Sequence, residues 1–248
     1  MKRLTFPGLL FFAAMVFFLT SCGDGGTEKT DKDTTTTTET TTTPAAPEVV
    51  NTIVTTPQSM MVATHKVSNF AKWKASYDAH DSMRLANGLH SYVIGRGIQD
   101  TNMVLVAVKA DDMAKAKTFA KDPSLKKAMQ KGGVTGTPAF AFATTVWQDT
   151  SMLGPDVIRS RTTFDVKDWD TWQKSFTEGK QQRIDNGIID RSYGHDPDNN
   201  KKVYLVTAVT DTAKAFAYYK SDALKQRRAA GGVIGEPKRF LFKVVTRY

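Results

Sequence analysis

A shift of 99 residues aligns this sequence with itself, and this repeat constrains the fold more than any other feature. Trp73 then meets Trp172, and Arg84 meets Arg183. Further matched segments are Asn87-Gly88 with Asn186-Gly187, Ala114-Lys115-Ala116 with Ala213-Lys214-Ala215, and Gly132-Gly133 with Gly231-Gly232. Roughly a quarter of about 85 aligned positions are identical at this single offset. The sequence therefore predicts a duplication of one module.

Hydrophobic periodicity, capping residues and glycine turns predict the same elements in each copy: strand, helix, strand, strand, helix, strand. Module 1 covers residues 59–148 and module 2 covers 156–248. In module 1 the pattern predicts strands at 60–67, 89–97, 103–109 and 139–147, and helices at 69–86 and 111–131, the second broken at 122–124. In module 2 it predicts elements at 157–166, 168–185, 188–195, 202–209, 211–230 and 238–247, with 148–156 as the connection.

This βαββαβ order predicts a ferredoxin-like α+β module with helices on one face of a sheet, whose other face must be buried. Two tandem modules can bury both bare faces against each other, as an intramolecular pseudo-dimeric α/β barrel. Residues 59–248 resemble the dimeric α/β-barrel superfamily in element order, length and helix pattern. That superfamily includes antibiotic-biosynthesis-type monooxygenases and stress-responsive A/B-barrel proteins. The resemblance implies a monomer with pseudo-two-fold symmetry, and it allows a monooxygenase or haem-handling activity.

The amino-terminal segment has the pattern of an export signal. Lys2 and Arg3 precede an apolar run from Gly8 to Leu19. Twelve helical residues rise only about 18 Å, too short for a hydrocarbon core of roughly 30 Å. The run ends at Leu19-Thr20-Ser21-Cys22, which resembles the lipobox of bacterial lipoproteins. We therefore expect residues 1–21 to be a signal peptide and Cys22, the only cysteine, to be lipidated and to anchor the protein to a membrane.

Residues 22–58 have the composition of a disordered tether, with nine threonines between Thr34 and Thr43. Residues 59–248 carry 30 basic and 19 acidic side chains. In a cytoplasmic protein this charge would suggest nucleic acid as a partner, but the export signal argues against one. The charge then fits a solvated surface or a body that faces anionic lipid. We expect a location in the cell envelope, at an outer membrane or a periplasmic face, and not in the cytoplasm.

The repeat also separates architectural positions from candidate site positions, because a site used once should lie where the copies differ. Trp73, Tyr77, His80 and Arg84 fall on one helical stripe. Such a stripe is typical of a core face, and Trp73 and Arg84 are shared by both copies. The alternative is that the head of Arg84 reaches a pocket between helix and sheet, where it could hold an anionic group.

His65 lies in the first predicted strand, and module 2 has Phe164 at the equivalent position. An inward imidazole could accept a proton or bind a metal or haem, whereas the plainer interpretation is a half-exposed strand residue. Asp78, His80 and Asp81 spread around the helix, and the sequence has no paired ligand spacing such as HExxH. We therefore expect no metal site and no cofactor other than haem.

Three functions stay open at this point. The first is an anchored binding protein for a small apolar or anionic molecule. The second is a cofactor-light monooxygenase or haem-handling enzyme, in which His65, Trp73, Tyr77 and Arg84 line the site. The third is a protein-interaction module that uses its basic surface. The sequence shows no nucleophile elbow, Walker sequence or Rossmann fingerprint, and it does not identify the ligand.

Overall fold

The computed structural model describes residues 51–248, which form nine strands and eight helices. The elements of the first copy are β1 (Ile53–Val54), β2 (Gln58–Val67), α1 (Phe70–Ala79), α2 (Asp81–Ala86), β3 (Leu89–Gly97), β4 (Met103–Ala110), α3 (Met113–Phe119), α4 (Pro123–Lys131) and β5 (Val134–Asp149). Those of the second copy are β6 (Ile158–Val166), α5 (Trp169–Glu178), α6 (Lys180–Asp185), β7 (Ile188–His195), β8 (Lys202–Val209), α7 (Thr212–Lys220), α8 (Asp222–Ala230) and β9 (Val233–Arg247). The predicted α+β order of both modules is confirmed.

The strands of the two modules form one closed antiparallel barrel. Module 1 contributes the order β5-β2-β4-β3 and module 2 the order β9-β6-β8-β7. The modules join where β3 pairs with β9 and where β5 pairs with β7. In the repeat β3 is equivalent to β7, and β5 is equivalent to β9. The two junctions are therefore equivalent, and the barrel has a pseudo-two-fold axis within one chain. Closure leaves the sheet few free edges, which removes backbone groups that could pair with another chain.

Two equivalent glycines allow the modules to approach closely at these junctions. A Cβ atom on Gly194 of β7 would lie 2.1 Å from the carbonyl oxygen of Thr144 on β5. A Cβ atom on Gly95, its counterpart on β3, would lie 2.3 Å from the ring of Phe242 on β9. Both distances are shorter than any real contact, so a larger residue at 194 would push β5 and β7 apart and one at 95 would displace the Phe242 ring.

The alternation of side chains along each strand creates two interiors. On β2, Met61, Ala63 and His65 face the helices, whereas Met60 and Val62 face the inside of the barrel. The helix side of module 1 holds the largest buried apolar cluster, which includes Trp73, Leu89, Ile94, Val104, Val108 and Phe119. Full burial of one such side chain stabilises the fold by about 1.5–3 kcal/mol, so this layer is the main source of stability in module 1.

Capping residues place the N-termini of several helices where the sequence predicts them. The side chain of Asn69 accepts a hydrogen bond from the backbone N–H of Lys72 at the start of α1. Asp112 and Asp122 cap α3 and α4 in the same way, and Pro123 occupies the first turn of α4. Each carboxylate or amide oxygen satisfies a backbone donor that the helix itself leaves free. The predicted break at 122–124 is confirmed.

Three other helices break where the sequence predicts continuity. The predicted helix 69–86 divides at His80, and the predicted helix 168–185 divides at the equivalent Gly179. The predicted helix 211–230 divides at Ser221, whose hydroxyl caps α8. At the first two breaks a buried arginine supplies the missing hydrogen bond. Arg84 donates to the carbonyl oxygen of Tyr77 at 2.6 Å, and Arg183 donates to that of Phe176 at 2.6 Å.

The last strand of each module is longer than predicted. β5 starts at Val134 rather than 139, and β9 starts at Val233 rather than 238. Gly136 and Gly235 adopt φ values of 71° and 65°, so these strands can continue through a left-handed residue that a side chain would strain.

Residues 51–58 correct one end of the predicted tether. Ile53 and Val54 pair with Asp149 and Gln148, and β2 already begins at Gln58. These two apolar residues cover a free edge of β5. This pairing explains why they adopt a regular strand although the segment before them is polar. The predicted signal peptide, Cys22 and the remainder of the tether lie outside the described residues. None of the helices in residues 51–248 is both long and apolar enough to cross a bilayer.

Candidate functional site

A cleft in module 1, between its helices and the helix side of the sheet, brings the predicted site residues together. Its volume is ≈ 630 Å³, including the part open to solvent. His65, Trp73, Tyr77 and Arg84 all line it, as does His80. The other walls are mostly apolar, from Met61, Met83, Val106, Val108, Phe119, Leu125, Met129 and Phe140. The cleft therefore suits a mostly apolar molecule.

His65 is the most unusual residue of the cleft. Its side chain is buried, with 4% relative exposure, so it is not the half-exposed strand residue of the plainer interpretation. Neither ring nitrogen has a hydrogen-bond partner among the described residues. Burial lowers the pKa of His65 to about 4, so the imidazole is neutral at pH 7. A neutral buried imidazole without partners leaves one lone pair and one N–H unsatisfied, which is unfavourable unless a ligand engages them.

Aromatic rings fix the position of this imidazole. The ring centroids of His65 and Trp73 are 5.5 Å apart, and Trp73 in turn stacks on Tyr77 at 5.3 Å. The Tyr77 hydroxyl lies 2.8 Å from the hydroxyl of Ser91 on β3, and burial raises the pKa of Tyr77 above its ordinary value. Tyr77 thus stays protonated at neutral pH, with its hydroxyl held by the protein.

Arg84 has its hydrogen bonds inside the protein. Its Nε donates to Ser91, its Nη1 to the Tyr77 carbonyl, and its Nη2 to Asp81 at 2.9 Å. The guanidinium also lies over the Tyr77 ring, 3.6 Å from the centroid. The geometry accordingly fits the structural interpretation of Arg84 rather than a free group that holds an anionic ligand.

The other histidines lie in different settings. His80 lines the cleft, but its Nδ1 lies 2.6 Å from the Ser76 carbonyl oxygen. His90 forms an exposed pair with Asp111, and Nδ1 of His195 lies 2.9 Å from the carbonyl oxygen of Asp196. Within residues 51–248, no group of three or more His, Cys, Asp or Glu side chains is placed to hold a metal ion.

No protein-family model and no curated protein sequence matches this chain. Solved structures do match. A monooxygenase candidate from Fusobacterium nucleatum aligns over 77% of this chain and 93% of its own, with 13% identity and a TM-score of 0.51. An anthrone oxidase-like protein aligns over 79% and 95%, with 13% identity and a TM-score of 0.52. A chlorite dismutase candidate aligns over 77% and 96%, with 14% identity and a TM-score of 0.53.

The chain has the dimeric α/β-barrel fold. At such low identity the likenesses show the fold alone, so the site must be argued from this chain's own residues. Within the dimeric α/β barrel the two modules offer equivalent clefts that differ in content. Module 2 has Phe164 at the position equivalent to His65 and Phe176 at the position equivalent to Tyr77. The module 2 cleft also contains Arg227, Arg228 and Arg239.

Sequence reasoning found the cleft of this dimeric α/β barrel but missed the polar side chains inside the barrel. Four arginines line the barrel interior: Arg159, Arg161, Arg191 and Arg247. The signal was present, because β6 carries arginine at alternate positions where β2 carries Met60 and Val62. Applying the comparison of copies to the strands, and not only to helices and histidines, would have identified them.

Proposed function

We propose that the module 1 cleft binds a flat, mostly apolar small molecule, with haem as the first candidate and His65 as its iron ligand. The observation that carries this proposal is the buried His65 ring, which lines a cleft with mostly apolar walls and whose two nitrogens have no hydrogen-bond partner among residues 51–248. The superfamily resemblance, which allows haem handling, agrees with it. Export and lipid anchoring through Cys22 are a further, separate part of the proposal.

The chemistry of His65 favours ligation over proton abstraction. Iron binds the neutral imidazole, and a pKa of about 4 keeps His65 neutral across the physiological range. The same low pKa makes His65 a weak general base near pH 7, where an effective base needs a pKa close to the working pH. The Trp73 ring would hold the imidazole in place, and the apolar walls would exclude water from a bound porphyrin. Haem, when bound, supplies the redox chemistry that the side chains lack.

A second candidate is oxygenation of an aromatic substrate without a cofactor. The stacked Trp73 and Tyr77 rings and the apolar walls favour it, since they suit a flat organic substrate. In that case His65 would orient a polar group of the substrate by a hydrogen bond. Binding without chemistry, and a role as a protein-interaction module, remain predictions from the sequence.

Titration of the purified full-length protein with hemin, followed by its Soret absorbance, tests the first candidate. We expect saturable binding of one hemin per chain with a shifted band. His65→Phe, which installs the module 2 residue, should weaken binding by about 100-fold because the iron ligand is lost. His90→Gln, at an exposed histidine outside the cleft, is the control and should change the affinity by less than about twofold.

Two outcomes would count against haem. Equal binding by the native protein and by His65→Phe would show that the cleft does not hold hemin through His65. Absence of saturable hemin binding, together with saturable binding of a flat phenol that His65→Phe weakens, would favour the second candidate.

A further inference from the structure

The inside of the barrel contains a second cavity, separated from the module 1 cleft by the sheet itself. It is ≈ 890 Å³ in volume, including the part open to solvent. Its lining contains four arginines, Arg159, Arg161, Arg191 and Arg247, and only one carboxylate, that of Asp149. A concave surface with this excess of positive charge focuses its field on anions.

The single carboxylate is already engaged. Arg191 donates to Asp149 at 2.8 Å and also to the hydroxyl and carbonyl oxygens of Ser151. Asp149 further accepts from the Thr52 hydroxyl and from the backbone N–H of Ser151. Arg191 is thus the one arginine of this set that has an anionic partner among the described residues.

The other three arginines have weaker partners. Arg159 has only 4% relative exposure, and its one hydrogen bond goes to the Val157 carbonyl at 3.0 Å. Arg247 reaches the Tyr92 hydroxyl at 3.3 Å. Arg161 forms no hydrogen bond with any described residue, and its guanidinium lies 5.1 Å from the centre of the Tyr204 ring. Burial and then the charges of Arg191 and Arg247 lower the pKa of Arg159 to about 10.

The repeat shows that the barrel itself does not need these charges. At the four equivalent positions module 1 carries Met60, Val62, Tyr92 and Gln148. All four neutral side chains line the same cavity. Unpaired buried charge is unfavourable, and the equivalent positions of module 1 are filled by uncharged side chains. The arginines therefore indicate a bound ligand rather than a packing role.

The shape of the charge distribution indicates the kind of ligand. Apolar side chains from module 1 form the wall across from the arginines: Met60, Val62, Leu105, Ala107, Ala141 and Ala143. A more open depression shares Arg161 and Tyr204 with the cavity and adds Lys202 and Lys238. These lysines would draw an anion toward the interior.

We propose that the barrel interior binds an amphiphilic anion, whose charged head contacts Arg159, Arg161 and Arg247 while its apolar body lies against the module 1 wall. This site is distinct from the cleft that contains His65. It takes its specificity from charge and from chain length, because arginine can hold a carboxylate or a phosphate through two parallel hydrogen bonds.

Calorimetric titration of the full-length protein with octyl phosphate, and with 1-octanol as the neutral control, tests this proposal. We expect saturable binding of octyl phosphate and at least about tenfold weaker binding of octanol. Arg159→Met and Arg161→Val install the module 1 residues and should each weaken octyl phosphate binding by about tenfold or more. Arg228→Met, in the module 2 cleft, is the matched control and should leave the affinity within about twofold.

Thermal unfolding of the same variants without ligand separates a binding role from a structural one. We expect Arg159→Met to raise Tm, because it removes a buried charge that lies near two others. A lower Tm together with unchanged octyl phosphate affinity would show a structural arginine and overturn the proposal. Absence of saturable binding of octyl phosphate, octanol binding of equal strength, or a loss of affinity only in Arg228→Met would also overturn it.

Discussion

Replacement of Asp190 by alanine should lower the free energy of unfolding by about 3–5 kcal/mol, the largest effect of any single substitution considered for this chain. Arg183 donates to both carboxylate oxygens of Asp190, at 2.7 and 2.6 Å, and the two side chains are only 9% and 7% exposed. The same guanidinium donates to the Phe176 carbonyl at the helix break and lies 3.6 Å from the Phe176 ring centroid. Alanine would leave this guanidinium charged, buried and without a counter-ion.

Chemical denaturation of the native protein and the variant measures this loss. The double variant Arg183→Met/Asp190→Ala is the control and should recover part of the stability, because it removes the stranded charge along with its partner. The module 1 counterpart of Asp190 is Ser91, which accepts from Arg84 at 3.2 Å. Ser91→Ala should cost only about 1 kcal/mol, since Asp81 still pairs with Arg84. A loss below about 1 kcal/mol for Asp190→Ala would contradict this account of the helix break.

The stability of the ligand-free protein should fall as the pH falls from 6.5 toward 4, with a contribution of about 3 kcal/mol from His65 alone. The pKa of His65 is about 4 in the folded protein, against an ordinary value of 6.5 in an unfolded chain. Between these values the unfolded chain binds a proton that the folded protein does not. The free energy of unfolding is therefore unaffected by His65 above pH 6.5. It falls as the pH decreases from 6.5 to 4, and below pH 4 it falls no further because the folded protein binds the proton as well.

Denaturation of the native protein and of His65→Phe across this pH range isolates the effect of one side chain. Phenylalanine fills the equivalent position in module 2 and does not titrate. The difference between the two curves should change by about 3 kcal/mol between pH 6.5 and pH 4 and stay constant above pH 7. Parallel curves would mean that His65 is hydrated in solution and is not the buried, unpartnered base that the cleft requires.

The repeat explains why so much of the fold could be predicted from the sequence. Matches at a single offset, such as Trp73 with Trp172, predicted two modules. The bare face of each predicted sheet then had to be buried against the other module. Short-range signals such as Asn69 and Pro123 then placed helix starts, because capping depends on neighbours within one turn.

The helix breaks at His80 and Gly179 could not be predicted in this way, because they depend on tertiary contacts. Each break becomes favourable only when Arg84 or Arg183 reaches back across the turn to a free carbonyl. Their identity in both copies suggested an architectural role, and the structure supplies the reason for it. The extension of β5 likewise depends on pairing with β2, in which Thr135 lies opposite Lys66 and Val134 opposite Val67.

The candidate site was predictable to the extent that it differs between copies. All four histidines differ between the copies, and His65 was singled out because it lies in the first strand; the structure buries its ring beside the cleft, with no hydrogen-bond partner among residues 51–248. The loss of Arg84 as an available cation could not be predicted, because Asp81 and Ser91 meet it only in the folded protein. The interior arginines were missed because the copies were compared at helix positions and histidines only, although β6 carries Arg159 and Arg161 where β2 carries Met60 and Val62.

Chemical rescue by imidazole is the most direct test of His65 as an iron ligand. In His65→Gly the cleft gains space where the ring was. Added imidazole can occupy this space and coordinate the iron of bound hemin through a ring nitrogen. We expect His65→Gly to lose the Soret shift of the native complex and added imidazole to restore it. Imidazole should restore nothing in His65→Phe, whose ring fills the space. A native Soret band in His65→Gly before imidazole is added, or equal rescue of both variants, would show that His65 is not the iron ligand.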